Sequence, residues 1–574
     1  MRENTIVGGL LLGRSLSHDI NYHAHLQALI FDLYRDEKAN KIYIPKFFKE
    51  LVDAGIRKDD PRLREMIKQV REAEHEDEVA HDKEHLFMNK EAFCKCVGGS
   101  IGVIGKALKK QLVIPDWPSF TSVMTEIFEE CCKYSSGQNF VRFPHNVVMF
   151  PVATYIPQLA RADPNTFAAS VCTVDGQRKS WGEALMPFCL QSVSKPFTYA
   201  LVHEELGPDE LHNHVGQEPS GRLFNDISLD HNKKPHNPLI NAGAIVVASL
   251  MKRRASLSDR FDFVRFRKQF RLCALTNVPR FQAIHQMRRF CGVGYVGFNN
   301  AVFLSERETA DRNYALSYYM REHKVFPPDT HLQDTLDLYF QLCSIETNCD
   351  TLAVMAATLA NGGVNPMNGE RVINNRCLPF RSTFLFVGLP AKSGVSGDMI
   401  MVIPNVMGIA IYSPRLDSLG NTYRGLKFAE AFIEKFNFHN YDSLVYSDCQ
   451  KMDPRKTVVE NDLDNASRFM YAAKQGDISA MKRYQHNAKE VAIARKILAT
   501  APATGYEPAR AFFLESSNRS ENFSFIYSEP EDKFQRTPLD DAKFFNHREC
   551  MDVIEKAIER WKAAEEQPRT DWQP

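Results

Sequence analysis

The chain has 574 residues, with 71 Lys and Arg set against 71 Asp and Glu, so its formal net charge is +0. Hydrophobic residues make up 44%, charged residues 25% and aromatic residues 11%; this is the composition of a folded chain of several domains and excludes a collagen-like or wholly disordered one. Balanced charge excludes the basic surplus of a nucleic-acid binder and the acidic surplus of a polyanion mimic.

The first twenty residues mix Arg2 and Arg14 with Glu3 and Asp19, and the GGLLLG run lacks a small-residue cleavage pattern, so neither a secretory signal nor a strong transit peptide is predicted. From 22 to 135, runs such as HLQALIFDLY and IPKFFKELVDAGI carry apolar residues at spacings of three and four, which predicts a helical domain. Its first loop, DEKANKIYIPKF, resembles an EF-hand loop at Asp36 and Asn40, but Lys41 stands at the turn glycine and Phe47 at the bidentate glutamate. The domain is therefore expected to be EF-hand-like and not to bind calcium. Thirteen Cys without regular spacing predict a reducing compartment and no metal site.

Between about Tyr155 and Asn437 short β-like runs alternate with Gly-bounded helical segments, predicting a mixed α/β domain. Asp175-Gly176 reads as a hairpin turn. In QSVSKPFTYALVHEELG, Ser192 and Lys195 share one face at the start of a helix that Gly207 closes. Pro196 is tolerated because it falls in the first turn. A lysine held in a dry site loses its proton more readily and can act as base to the serine. An asparagine-bearing segment at Pro238 to Gly243 and then Lys392-Ser393-Gly394 complete the order S-x-x-K, Asn, K-[ST]-G. That order is the plan of the serine penicillin-recognising hydrolases, and it places a backbone N–H near Val395 in an oxyanion hole. The apolar stretch Met399 to Tyr412 is shorter than the roughly 20 residues that span a bilayer. It reads as a buried strand, and no membrane span is expected. Beyond a polar linker, AAKQGDISAMKRY and TPLDDAKFFNHRECMDVIEKA suggest ankyrin-like helical repeats over 462–560.

The runs YIPQLA, SVCTVDGQR, PFCLQS, KPHNPLINAGAIVV, SERETADRN, YFQLCSIE, VMAATLANGG and VGLPAKSGVSG resemble the animal glutaminases of the kidney and liver type. The resemblance implies three parts: an N-terminal helical domain at 22–135, a β-lactamase-like α/β catalytic domain at 152–440, and the ankyrin-like region. It also implies hydrolysis of L-glutamine to L-glutamate and ammonia without a cofactor, with inorganic phosphate as an activator. The family resemblance further implies a homotetramer, a mitochondrial or alternatively cytoplasmic location, and protein partners at the ankyrin-like tail. Carried over, it makes Ser192 the nucleophile and Lys195 its base. Tyr155, Gln191, Asn241, Glu306, Asn313, Tyr339 and the backbone at Val395 become the substrate-binding positions. A carboxylate such as Glu306 is the natural partner for the α-ammonium of glutamine, and neutral donors such as Asn241, Asn313 and Tyr339 suit its α-carboxylate.

The chain departs from that pattern in three places. No tyrosine occurs from Phe340 to Ile411, where the family carries a further catalytic tyrosine before VGLPAKSG. Residues 139–150 and 267–290 read as insertions. An alternative reading of the missing tyrosine segment is a catalytically silent glutaminase-like subunit or an ankyrin-type interaction protein.

Overall fold

The structure is a computed structural model describing residues 26–36, 40–70, 87–135, 142–143, 146–147, 152–221, 223, 225–265, 286–377, 388–442, 451–456 and 543. The ankyrin-like region expected at 462–560 lies outside the described residues, Lys543 apart, as do most of the two insertions and residues 378–387, where the missing tyrosine segment would fall. Of the described residues, Glu434–Asn437, Tyr441, Asp442, residues 451–456 and Lys543 belong to a unit separate from the rest. Within that unit Asn437 N–H donates to Met452 O at 3.1 Å, and Arg455 pairs with Asp453 at 2.8 Å. Among the described residues no helix is long and apolar enough to cross a membrane.

The N-terminal part begins with a helix over 26–34, a short antiparallel strand pair, Arg35–Asp36 with Lys41–Tyr43, and a second helix, Ile44–Asp53. Asn40 makes the reversal with φ 50°, a left-handed conformation that Asn tolerates better than most residues. Phe87–Met88 adds a third strand, so a small sheet accompanies the helices that the periodicity predicts. Further helices, Lys90–Val97 and Trp117–Cys132, are capped by Asn89 and Asp116 side chains accepting from Ala92 and Ser119 N–H. Phe31, Phe47, Leu51, Leu63 and Phe93 form the core. Phe47 is fully buried, its ring 5.1 Å from Phe93 in an edge-on contact. The twelfth position of the EF-hand-like loop thus serves packing, a contribution of about 1.5–3 kcal/mol for such a side chain.

The central domain is built on a five-stranded antiparallel sheet. Its strands are β1 (Ala168–Thr173), β2 (Arg178–Gly182), β3 (Ala391–Ser393), β4 (Asp398–Ile403) and β5 (Met407–Tyr412), in the order β3-β4-β5-β1-β2. Asp175-Gly176 makes the β1–β2 turn, with Gly176 at φ 90°. The apolar stretch read as one strand folds as two, because Pro404 and Asn405 (φ 62°) turn the chain between β4 and β5. Both strands are buried along their whole length, which explains a run without alternation.

The helices that concern the site are α1 (Ser194–Leu206), α2 (Asn241–Leu250), α3 (Asn300–Glu308), α4 (Asp311–Glu322), α5 (Leu332–Cys343) and α6 (Cys349–Ala360). α6 lies directly on the sheet: a Cβ on Gly408 of β5 would meet the backbone of Ala356 and Ala357. A second, three-stranded sheet pairs Ile345–Thr347 with Phe188–Cys189 on one side and Gly297–Phe298 on the other.

The β1–β2 turn is the joint to the N-terminal part. Gln177 Nε2 donates to Ala54 O and Ile114 O, and its Oε1 accepts from Ile114 N–H, at 2.9 to 3.0 Å. Asp175 accepts from Val113 N–H, Arg62 donates to Asp175 O, and Arg178 N–H donates to Gly55 O. Arg57 and Arg178 reach Asp350 in the first turn of α6 at 2.6 and 3.7 Å.

Candidate active site

Ser192 is delivered by the smaller sheet. Leu190 N–H donates to Ile345 O, after which Gln191–Val193 form a 3₁₀ turn that runs into α1. Gln191 has φ 44°, strain that a non-glycine residue carries at a cost and that recurs at functional sites. The helix proper starts at Ser194, two residues after Ser192, and Gly207 (φ 80°) closes it. Ser192 is half-buried, whereas Lys195 is 2% exposed.

Two polar strings converge here. In the first, Lys195 Nζ donates to Asn241 Oδ1 at 2.6 Å, and Asn241 Nδ2 donates to Asn313 Oδ1 at 3.1 Å. The Tyr339 ring lies beside Lys195, its centroid 5.9 Å from Nζ. In the second, Glu306 Oε1 accepts from both Tyr155 Oη at 2.6 Å and Gln191 Nε2 at 2.9 Å. Asn241 is held at the first turn of α2 by Asn237, whose Oδ1 accepts from Leu239 and Ile240 N–H. Gly243 lets α2 approach that segment, since a Cβ there would run into Asn237 O. Asn299 caps α3 by accepting from Val302 N–H and is itself tied to Ser344 O, which fixes Glu306 against the smaller sheet.

Burial sets the electrostatics. It lowers the Lys195 amine to about 7, and the nearby Lys392 charge adds to the fall. Burial raises Glu306 above its ordinary carboxylate range, with the hydrogen bonds from Tyr155 and Gln191 opposing the rise. Tyr339 and Tyr155 are both pushed well up by burial. Tyr155 is 48% exposed as a residue, yet its hydroxyl is turned onto buried Glu306.

The K-S-G segment forms the edge strand β3. Val395 packs beside Ile156, Cys189 and Val302, which brings it to the strand that delivers Ser192. The positions anticipated from sequence thus fall into the lysine string (Lys195, Asn241, Asn313, Tyr339), the glutamate string (Tyr155, Gln191, Glu306), and Ser192 and Val395 beside them. Sequence reasoning passed over Asp398 and Ser396, although an aspartate entering the otherwise apolar DMIMVI strand is a readable signal. A cavity of about 890 Å³ lined by Arg57, Trp117, Arg178 and Asp350 contains none of the site positions. Among the described residues no group of three or more His, Cys, Asp or Glu converges to hold a metal ion.

A helix-and-sheet domain with a buried lysine one turn from a serine and a K-S-G edge strand defines a β-lactamase-like hydrolase domain. The family pattern described as Glutaminase matches residues 151–441, and one described as EF-hand domain matches residues 26–115. The Caenorhabditis elegans protein named "Putative glutaminase 3" is 56% identical over 97% of this chain and 92% of its own length. The rat "Glutaminase liver isoform, mitochondrial" is 38% identical over 92% of this chain and 84% of its own. A solved structure, "Crystal Structure Analysis of Mglu in its native form", aligns at 30% identity over 56% of this chain and 74% of its own, with a TM-score of 0.48. The chain belongs to the glutaminase family.

Proposed function

We propose that this chain hydrolyses L-glutamine to L-glutamate and ammonia with Ser192 as nucleophile and Lys195 as general base. The observation that carries the assignment of roles is the buried Lys195 amine, lowered to about 7 and held on Asn241 three residues after Ser192. Neutral Lys195 takes the Ser192 proton as the serine oxygen attacks the side-chain amide carbon. The proton passes to the leaving nitrogen, ammonia departs, and a γ-glutamyl ester remains for water to hydrolyse. Charge on the tetrahedral oxygen is met by backbone N–H groups at Ser192 and near Val395. Because both donors to Glu306 use Oε1, Oε2 is left for the substrate α-ammonium. Asn241, Asn313 and Tyr339 supply neutral donors for the α-carboxylate. The tyrosine absent before Val387 leaves Tyr339, against Lys195, as a hydroxyl-bearing neighbour of the base.

By the resemblance, the assembly is a homotetramer activated by inorganic phosphate. The mitochondrial names of the rat and mouse relatives support that location. The test is glutamate and ammonia release from purified protein given L-glutamine, with and without phosphate, beside Ser192→Ala. Turnover in the parent that falls by about a thousandfold or more in Ser192→Ala supports the assignment. Equal rates in the two remove Ser192 from the role.

A further inference from the structure

Lys195 Nζ rests on Asn241 Oδ1, and Asn241 opens α2, a helix whose ten residues are all buried. A helix apolar on nearly every side gains as much from one rotation about its axis as from another, so burial does not choose the direction in which Asn241 points. A polar anchor has to set it. The usual one is missing, since Ile240 stands at the N-cap position of α2 and makes no side-chain cap.

Asn237 takes its place. It is 2% exposed, and each end of its side-chain amide has a partner. Oδ1 accepts from Leu239 and Ile240 N–H at 3.1 and 3.2 Å, and Nδ2 donates to Glu218 O at 3.0 Å. Pro238 brings no N–H and disfavours helical backbone at Asn237, so α2 begins beyond this Asx-type turn. The far anchor is itself held: Gly216 N–H donates to Pro235 O at 2.8 Å and Glu218 N–H to His236 O at 3.0 Å. A Cβ on Gly216 would come within 2.6 Å of His236 O. On the helix side, Asn237 O fills the place that a Cβ on Gly243 would take. Residues 216–218, Asn237 and the first turn of α2 thus form one hydrogen-bonded unit, and Lys195 leans on it through Asn241.

We propose that Asn237 is a positioning residue of the serine–lysine centre: by tying Leu239 and Ile240 to the 216–218 segment it fixes the rotation of α2 about its axis, and so keeps Asn241 Oδ1 on the Lys195 amine. The proposal rests on the Ser192–Lys195 reading given above. Asn237 acts through Asn241, so its removal should have little further effect once Asn241 is gone. That non-additivity separates positioning from a general contribution to folding.

Asn237→Ala and Asn237→Ser, each made alone and together with Asn241→Ala, test this by two readouts on full-length protein of checked melting temperature. One is kcat and KM for L-glutamine. The other, independent of turnover, is the rate at which acetic anhydride acetylates Lys195 at one fixed pH, followed by mass spectrometry. Asn237→Ala should lower kcat/KM by about ten- to a hundredfold. It should also free the amine and speed its acetylation severalfold, as Asn241→Ala should. In the double variants both readouts should stay within about twofold of Asn241→Ala. Serine offers a shorter acceptor to the same N–H groups, so Asn237→Ser should fall between the parent and Asn237→Ala. Effects that multiply in the double variants overturn the proposal. So does an unmoved Lys195 acetylation rate in folded Asn237→Ala or, where that variant does not fold, in Asn237→Ser. Failure of both to fold while Asn241→Ala folds assigns Asn237 to stability alone and overturns it as well. Absence of glutamine turnover in the parent protein overturns the functional reading instead, and the acetylation rates still decide the role of Asn237.

Discussion

At Lys195 a folding cost and a chemical requirement share one origin, the removal of an amine from water. In its proposed role as base Lys195 acts in the neutral form, so with the amine at about 7, kcat/KM should fall about tenfold per unit as pH drops below neutrality. The same depression has a signed effect on stability. Between about 7 and its ordinary value of 10.5, the unfolded chain binds a proton at this position that the folded chain does not, so this group makes stability increase with pH across that window. Lys195→Met should abolish turnover and remove that slope, and its melting temperature at pH 7 should not fall below that of the parent. The lost hydrogen bond on Asn241 is offset by relief of the buried amine. Thermal melts at pH 7 and pH 9 check both points; a marked loss of stability at pH 7 contradicts them.

Among the elements, β5 lies hard against α6. Gly408→Ala places a methyl on the α6 backbone, where no side chain can rotate away. Overpacking of this kind costs typically 1–3 kcal/mol, and a domain of this size should lose several degrees of melting temperature, roughly 2–4 °C per kcal/mol. An unchanged melting temperature in the Ala variant would show that the sheet can shift away from the helix. The legibility of the fold follows the same division between local and distant causes. The Asp175-Gly176 turn and the Gly207 stop depend on one residue's backbone freedom and are readable in the chain. The apolar run from Met399 to Tyr412 misleads, because burial on both faces erases the alternation that marks a strand's limits, and only Pro404-Asn405 betrays the turn. The site is legible as residue types in order, S-x-x-K, Asn and K-S-G. Its wiring is not: that Glu306 takes Tyr155 and Gln191 on one oxygen depends on α3 being hung from the smaller sheet more than 40 residues away in sequence. Asp398 escapes notice because its neighbours are brought from five other elements.

For the whole molecule, the N-terminal part meets the catalytic sheet at the β1–β2 turn, where the Gln177 side chain satisfies three backbone groups. Gln177→Leu keeps the volume but strands Ile114 N–H and the carbonyls of Ala54 and Ile114. Each buried orphan costs about 1–3 kcal/mol, so the N-terminal part should melt ahead of the catalytic domain in calorimetry and become cleavable by a protease under native conditions. A single unchanged transition would place the coupling instead in Arg57, Arg178 and Asp350.

That joint also bears on how the chain is made. β1 and β2 leave the ribosome early, but β5, the partner that pairs with β1 from Met407 to Tyr412, is encoded about 230 residues downstream. At roughly 5–20 residues per second the wait lasts tens of seconds. A hairpin waiting alone offers open edges to other chains. The N-terminal part is already synthesised by then, and its partners for the turn, Ala54 O, Val113 N–H and Gly55 O, all precede the hairpin in the chain. The contacts of the EF-hand domain with this turn are thus among those the chain can make before the rest of the sheet has been synthesised.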